Sequence, residues 1–246
     1  MQEFIYGFHA VSALVRQSPD SVLSVYLEKN KKNTRTTRLI QLLNSHAVSY
    51  QLVSRVELQN RVGNVVHQGV VARINKRANS VKADLPSILS NLEDDEILLI
   101  LDGIVDPANL GGCLRVADAA GVKTVILPRD KSAPVTAVAR KVAAGAAESV
   151  NIITVTNLVR TIETLKDHEF WIFGLADETA DSLYNHQFKG RIAVVMGNEG
   201  KGLRQLTRQS CDHLLAIPMK GHVESLNVAV ATGITLYEIN RQRIAQ

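Results

Sequence analysis

Three glycines, an amide, a carboxylate and a lysine are packed into the stretch MGNEGKGL, Met196 to Leu203, directly after the apolar run RIAVV. A glycine-rich turn behind a buried strand brings backbone donors and acceptors close to a ligand. The spacing is not that of a phosphate loop, because Gly202 follows Lys201 where a magnesium-binding Ser or Thr would stand. The glycines also fail the G-x-G-x-x-G pattern. The turn suits a polar small molecule, with Glu199 as an additional carboxylate.

Two other stretches follow apolar runs in the same way. In LDGIVDPANLGGCLRVADAAG, Leu101 to Gly121, a strand gives way to a turn at Asp106-Pro107, and Asn109 has the chemistry of a helix N-cap. Gly111 and Gly112 fall in the first turn, where each costs about 1 kcal/mol against alanine. Arg115, three and four positions on, leans back along the helix and can reach an anion at the helix start. Alternatively, the glycines serve close helix–strand packing and Arg115 is a surface residue. The third stretch, AIPMKGHVESLNVAVATGITLYEINRQR, ends a strand at Ile217-Pro218. It then starts a long apolar helix for which Ser225 is a fitting N-cap, Ser225 and Asn227 both being open to a purely capping role, and that helix is apolar enough to be buried, partly against a second copy.

The elements that must hold these stretches form an α/β pattern. EILLILDG, KTVILP, VNIITVT, FWIFGLAD, RIAVVMG and HLLAIPM read as strands. They alternate with the helical NLGGCLRVADAAG, PVTAVARKVAAGAAE, TNLVRTIETLKDH and GLRQLTRQ. Near-continuous apolar strands between helices predict a parallel sheet covered on both faces, with ligands beyond the carboxyl ends of its strands. Upstream, SVLSVYL, VSYQLV and GVVARI read as strands, and HAVSALVRQ and TRLIQLLNS as helices. These predict a small α/β domain over residues 1–76, a linker over 77–84 and a larger domain over 85–246. Asp84 and Pro86 mark the first helix of the larger domain.

Charge divides at the same place. Residues 1–76 hold ten Lys/Arg against four Asp/Glu, and residues 77–246 hold eighteen against twenty. The stretch EKNKKNTRTTR, Glu28 to Arg38, carries five positive charges in eleven residues. Such an asymmetry fits an appended polyanion-binding module, although the run by itself fits a solvated face equally well. Among 246 residues, 46% hydrophobic and 21% charged, no apolar stretch is long enough to span a bilayer, and the first residues lack a signal-peptide pattern. Two separated cysteines and seven histidines show no metal-ligand spacing, so no metal is expected and a reducing cytoplasm is.

In order and in position, NLGGCLR, MGNEGKGL and IPMKGHVESLNVAVA resemble the three motifs of the SpoU (TrmH-type, SPOUT) RNA ribose 2′-O-methyltransferases. YGFHAV and HQGVVARI near the two ends of the small domain resemble the substrate-binding domain of the branch that methylates guanosine in 23S rRNA. The resemblance implies a trefoil-knotted parallel-sheet domain behind an RNA-binding domain, a homodimer, and S-adenosylmethionine as cofactor. It assigns Gly197, Asn198, Glu199, Gly200, Ile217, Met219, Ser225 and Leu226 to the cofactor pocket, and Arg115, Asn109, Glu199 and Asn227 to catalysis. The target it implies is a guanosine in the peptidyl-transferase P loop. A tRNA ribose methyltransferase and a non-catalytic RNA-binding protein are the alternatives; a nucleotide-phosphate enzyme would need magnesium ligands that the sequence does not supply.

If the basic first domain carries the RNA attraction, a chain beginning at Asp84 should keep its cofactor site but lose most RNA affinity. Salt titration of rRNA-fragment binding should give a shallower slope than the full chain, by about 0.7 for each single-strand phosphate no longer neutralised. Equal slopes would make the basic run a solvated face.

Overall fold

The computed structural model describes residues 3–29, 33–75, 84–177 and 179–244. The expected linker at 77–84 lies outside the described residues except for Asp84, and so do the three residues 30–32 of the basic run.

The first unit is a four-stranded sheet. Its strands are β1 (Glu3–Tyr6), β2 (Val22–Glu28), β3 (Tyr50–Val53) and β4 (Val70–Ile74), in the order β1-β4-β2-β3. β4 runs antiparallel to β1 and β2, and β2 pairs with β3 in parallel. Strand alternation sends Ile5, Val25, Leu27, Val70 and Ala72 to one face, under α1 (Phe8–Gln17) and α2 (Thr34–Ser45). Tyr6, Tyr26 and Val71 go to the other face with Leu58 of α3 (Arg55–Val62). Neither β1 nor α3 is announced by the hydrophobic pattern. β1 is only four residues long, and α3 is polar, its start marked by a capping box in which Ser54 and Glu57 bond each other's backbone N–H.

The second unit is a six-stranded sheet of β5 (Ile97–Leu101), β6 (Thr124–Pro128), β7 (Asn151–Val155), β8 (Phe170–Leu175), β9 (Arg191–Met196) and β10 (His213–Leu215). The order is β10-β8-β9-β5-β6-β7 and every pairing is parallel. Leu99, Leu101, Val125 and Val194 pack under α5 (Pro107–Ala119), α6 (Ala137–Ala143), α7 (Ala146–Ser149) and α10 (Val228–Ile244). Leu98, Ile100, Ile126 and Val195 point the opposite way, under α4 (Leu85–Leu89) and α8 (Leu158–Asp167); α9 (Gln205–Ser210) leads into β10. The parallel sheet with both faces covered is the one the apolar runs imply. Asp84 caps α4 by accepting the Ser87 N–H, as its sequence suggests.

Four local readings are corrected. α5 begins at Pro107 with Asp106 as its cap, accepting the N–H groups of Ala108 and Asn109, so Asn109 lies inside the helix and the glycines fall beyond the first turn. The helix read over 134–148 is two helices, broken where Ala144 and Gly145 both adopt left-handed backbone. The last strand stops at Leu215 rather than continuing to Ile217. The glycine pair is explained by helix–helix packing rather than helix–strand packing. A Cβ on Gly111 would collide with the Ala139 carbonyl and sit 2.8 Å from the Val142 Cβ, and one on Gly112 would sit 2.8 Å from the Ala229 Cβ. The helix propensity lost at these positions is exchanged for close approach of α6 on one side and α10 on the other.

Gly111→Ala should therefore destabilise the fold although it raises helix propensity. Overpacking of this kind costs about 1–3 kcal/mol, and urea unfolding should show a lowered midpoint at unchanged slope. A midpoint at or above the wild-type value would remove the packing explanation.

Candidate active site

In a parallel sheet, binding crevices open where the strand order reverses. The chain leaves β5 toward β6 and β7 on one side, while β9 lies against β5 on the other. The segments following β5 and β9 therefore start side by side and diverge.

After β9 the chain makes the glycine turn. Asn198 N–H donates to the Gly202 carbonyl at 3.0 Å, and Gly202 N–H returns the bond to Asn198 at 2.8 Å. Gly200 and Gly202 take φ of +84° and +63°, the left-handed region that favours glycine. A Cβ on Gly197 would collide with the Gly202 carbonyl across the turn. The turn thus needs glycine at three places for two reasons, backbone sign and closeness.

Glu199, at the tip, collects the other two motifs. It accepts from Asn109 Nδ2 at 2.5 Å, from Asn227 Nδ2 at 2.9 Å and from the Val228 N–H at 3.3 Å. Asn227 Nδ2 also donates to Asn109 Oδ1 at 2.9 Å. Residues 109, 199 and 227 close a ring of side chains. Asn227, not Ser225, caps α10, since its Oδ1 accepts the N–H groups of Ala229 and Val230. The Glu199 carboxylate consequently sits at the positive end of a long helix.

A cleft of about 310 Å³ opens beside the ring, beyond the carboxyl ends of β8, β9 and β10. That lies at the lower end of the roughly 300–1,000 Å³ of small-molecule sites. Gly197, Asn198, Glu199, Gly200, Ile217, Ser225 and Leu226 line it; Met219 does not. Leu175, which ends β8, and Ala176 and Asp177, which follow it, line it as well and belong to none of the three motifs. Their signal was available, because FWIFGLAD also ends a strand on the same sheet edge.

Arg115 is exposed on α5, six residues beyond Asn109, and its side chain makes no hydrogen bond or ion pair to another described residue. Its guanidinium is available to a large anionic substrate. The cysteines offer no nucleophile, since burial first of all pushes both the Cys113 and the Cys211 thiol up to about 12. No group of three or more His, Cys, Asp or Glu is placed to hold a metal ion among the described residues.

Residues 96–237 match the SpoU rRNA Methylase family, and residues 4–80 match the RNA 2′-O ribose methyltransferase substrate-binding family. The chain belongs to the SpoU rRNA methylase family. It is 49% identical over 246 residues to the 23S rRNA (guanosine-2′-O-)-methyltransferase RlmB of Pasteurella multocida, covering 100% of both chains. It is 50% identical over 243 residues to RlmB of Escherichia coli K12, covering 99% of this chain and 100% of that one. Its fold is that of the SpoU methyltransferase AviRb from Streptomyces viridochromogenes, solved in complex with the cofactor AdoMet. That match has a TM-score of 0.80 at 21% identity, over 100% of this chain and 92% of that one. An RNA 2′-O ribose methyltransferase structure matches with a TM-score of 0.83 at 20% identity, over 99% and 89%. The ring of Asn109, Glu199 and Asn227 is the point at which the three post-strand stretches of this chain touch.

Asn227 both caps α10 and donates to Glu199, and substitution separates the two roles. Asn227→Ala should lose about 1 kcal/mol of stability as a missing cap. Asn227→Asp keeps the cap but sets a carboxylate against Glu199, so one carboxyl of that pair titrates above its unfolded value. Its deficit should be full at pH 7 and shrink as pH falls through the carboxylate range. Thermal melts from pH 7 to pH 4 measure this; a pH-independent deficit would show that the two side chains do not meet.

Proposed function

We infer that this chain transfers a methyl group from S-adenosylmethionine to the ribose 2′-hydroxyl of a guanosine in 23S rRNA. The observation that carries the reading is the hydrogen-bonded ring of Asn109, Glu199 and Asn227 at the mouth of the cleft, in a chain about half identical throughout to enzymes named for that reaction.

The cleft suits the cofactor. Leu175, Met196, Ile217, Leu226 and Val228 offer apolar surface for a purine, while Asp177, Glu199 and Glu224 offer carboxylates to hydroxyl, ammonium or sulfonium groups. Gly197, Asn198 and Gly200 bring bare backbone to the same wall. When bound, the cofactor supplies a methyl group on positively charged sulfur, reactive toward an oxygen nucleophile. The protein supplies orientation and charge.

A ribose hydroxyl must lose its proton near the transition state. A guanidinium has no lone pair to offer as a base, so the role of Arg115 is electrostatic. It clamps the neighbouring phosphate and stabilises the developing alkoxide. A carboxylate has about four acceptor positions, and three donors already sit on Glu199, which leaves one for a substrate hydroxyl. Either Glu199 or a phosphate oxygen takes the proton. Asn109 aligns the substrate, and Asn227 with Ser225 holds the loop.

The same reading extends to features of the family. Residues 1–76 form the RNA-binding domain, joined by a linker at 77–84 to the methyltransferase domain at 85–246. The carboxyl-terminal segment threads a trefoil knot, the protein works as a homodimer in the cytoplasm, and the target is a guanosine of the peptidyl-transferase P loop. No helix among the described residues is long and apolar enough to cross a membrane.

Transfer of labelled methyl to 23S rRNA, followed by mapping of 2′-O-methyl positions in a deletion strain, tests the assignment. Arg115→Ala should leave cofactor affinity near normal and slow transfer at least ~10²-fold, the usual scale for losing an electrostatic stabiliser. Arg115→Lys should fail similarly, since a point charge does not reproduce the guanidinium fork. Near-normal turnover in the lysine variant would rule out a bidentate clamp.

A further inference from the structure

The glycine turn is anchored from beneath by a buried charge that lies outside the three motif residues already described. Asp102 follows β5 and its side chain is fully buried. Its Oδ2 accepts the backbone N–H of Arg204 at 3.0 Å, and Arg204 Nε lies 3.3 Å from Oδ1. Arg204 Nη2 continues to the Asp130 carbonyl at 3.2 Å, after β6. The guanidinium passes over Gly103, where a Cβ would stand 3.2 Å from Nη2. On the other side of the turn, Asn198 Nδ2 donates to the Gly103 carbonyl at 2.8 Å.

Two consecutive residues, 102 and 103, therefore hold both ends of the 198–204 segment. Asn198 and Arg204 are fixed, the backbone pair between Asn198 and Gly202 closes the turn, and Glu199, Gly200 and Lys201 project at the cleft. Neither Asp102 nor Arg204 lines that cleft. A buried carboxylate is costly unless paired, and an apolar pair would fill such a space at least as well for stability alone. What the pair adds is direction: Asp102 accepts the Arg204 backbone N–H, while the guanidinium lies in ion-pair range of Asp102 Oδ1 and donates to the Asp130 carbonyl, which together fix the course of the chain.

We propose that Asp102 and Arg204 are positioning residues for S-adenosylmethionine, holding the glycine turn in its binding shape without touching the ligand. This rests on the assignment of that cleft to the cofactor. The pair acts on how well the cofactor binds; Glu199, although on the same segment, is held for the transfer step by its own bonds to Asn109, Asn227 and the Val228 N–H.

The test is calorimetric titration of the full-length chain with S-adenosylmethionine, alongside rRNA methylation kinetics. Asp102→Asn and Arg204→Gln should each weaken cofactor binding at least ~10-fold, the coupling scale of contacting residues in one network. Each should raise KM for the cofactor in step, with kcat at saturating cofactor within about threefold of wild type. The double variant should lose no more than the worse single one, because the two side chains act as a unit. Arg204 is 40% exposed, so Arg204→Gln answers the question even if the Asp102 variants do not fold. Wild-type cofactor affinity in folded Arg204→Gln overturns the proposal, as does a fall in kcat with affinity unchanged, or strict additivity in the double variant. If the wild-type chain itself takes up no cofactor, it is the assignment of the cleft that falls.

Discussion

The organisation of the site depends on one carboxylate. Glu199 is ninety residues from Asn109 and twenty-eight from Asn227, yet it bonds both, and it takes the first free N–H of α10. Asn109 lies in α5, whereas Asn227 and the Val228 N–H form the start of α10. If the carboxylate were absent, the amides of Asn109 and Asn227 would still bond each other but would have nothing to hold them to the turn. Because Glu199 is exposed, its contribution to global stability is modest. Its effect is local, setting where the helix starts and the turn meet.

That meeting is possible because two glycines let three helices come close. α5 is held between the Ala139 carbonyl of α6, at Gly111, and Ala229 of α10, at Gly112. Ala229 lies one position beyond Val228, whose N–H reaches Glu199. A side chain at residue 112 would push the start of α10 away and open the ring. Core packing and site geometry are therefore a single constraint at this point, and glycine's low helix propensity is the cost of meeting it.

The sheet and the site were legible in the sequence to different depths. Runs such as EILLILDG and RIAVVMG announce parallel strands because they are buried on both faces, and hydrophobicity needs no partner to be read. The residues of the ring were also legible as polar groups after strands. Their pairing was not, because a bond between residues 109 and 199 leaves no trace in local spacing. The caps show the same limit at short range. Asn109 and Ser225 have cap chemistry, but Asp106 and Asn227 hold the positions from which a side chain reaches the free N–H groups. Asp102 was hidden more completely, since at the end of an apolar run an aspartate reads as the start of a loop; only its full burial and its bond to the Arg204 backbone show what it does.

The wall that shapes the site also receives the first domain. Gly145 has a φ of +110°, and a Cβ there would lie 2.7 Å from the Ala13 Cβ of α1. Ala137, at the start of α6, packs against the cluster of Tyr6, Tyr26 and Leu58. The helix that presses on Gly111 thus carries the small sheet on its other side. A partly buried ion pair between Arg140 and Glu148 joins α6 to α7 across the left-handed break. Close-packed interiors transmit displacement rather than absorb it, so a load on the small domain reaches α5, which carries Asn109 and Arg115, through a single intervening helix. The small sheet and the helices beside the site are in this way parts of one packed body.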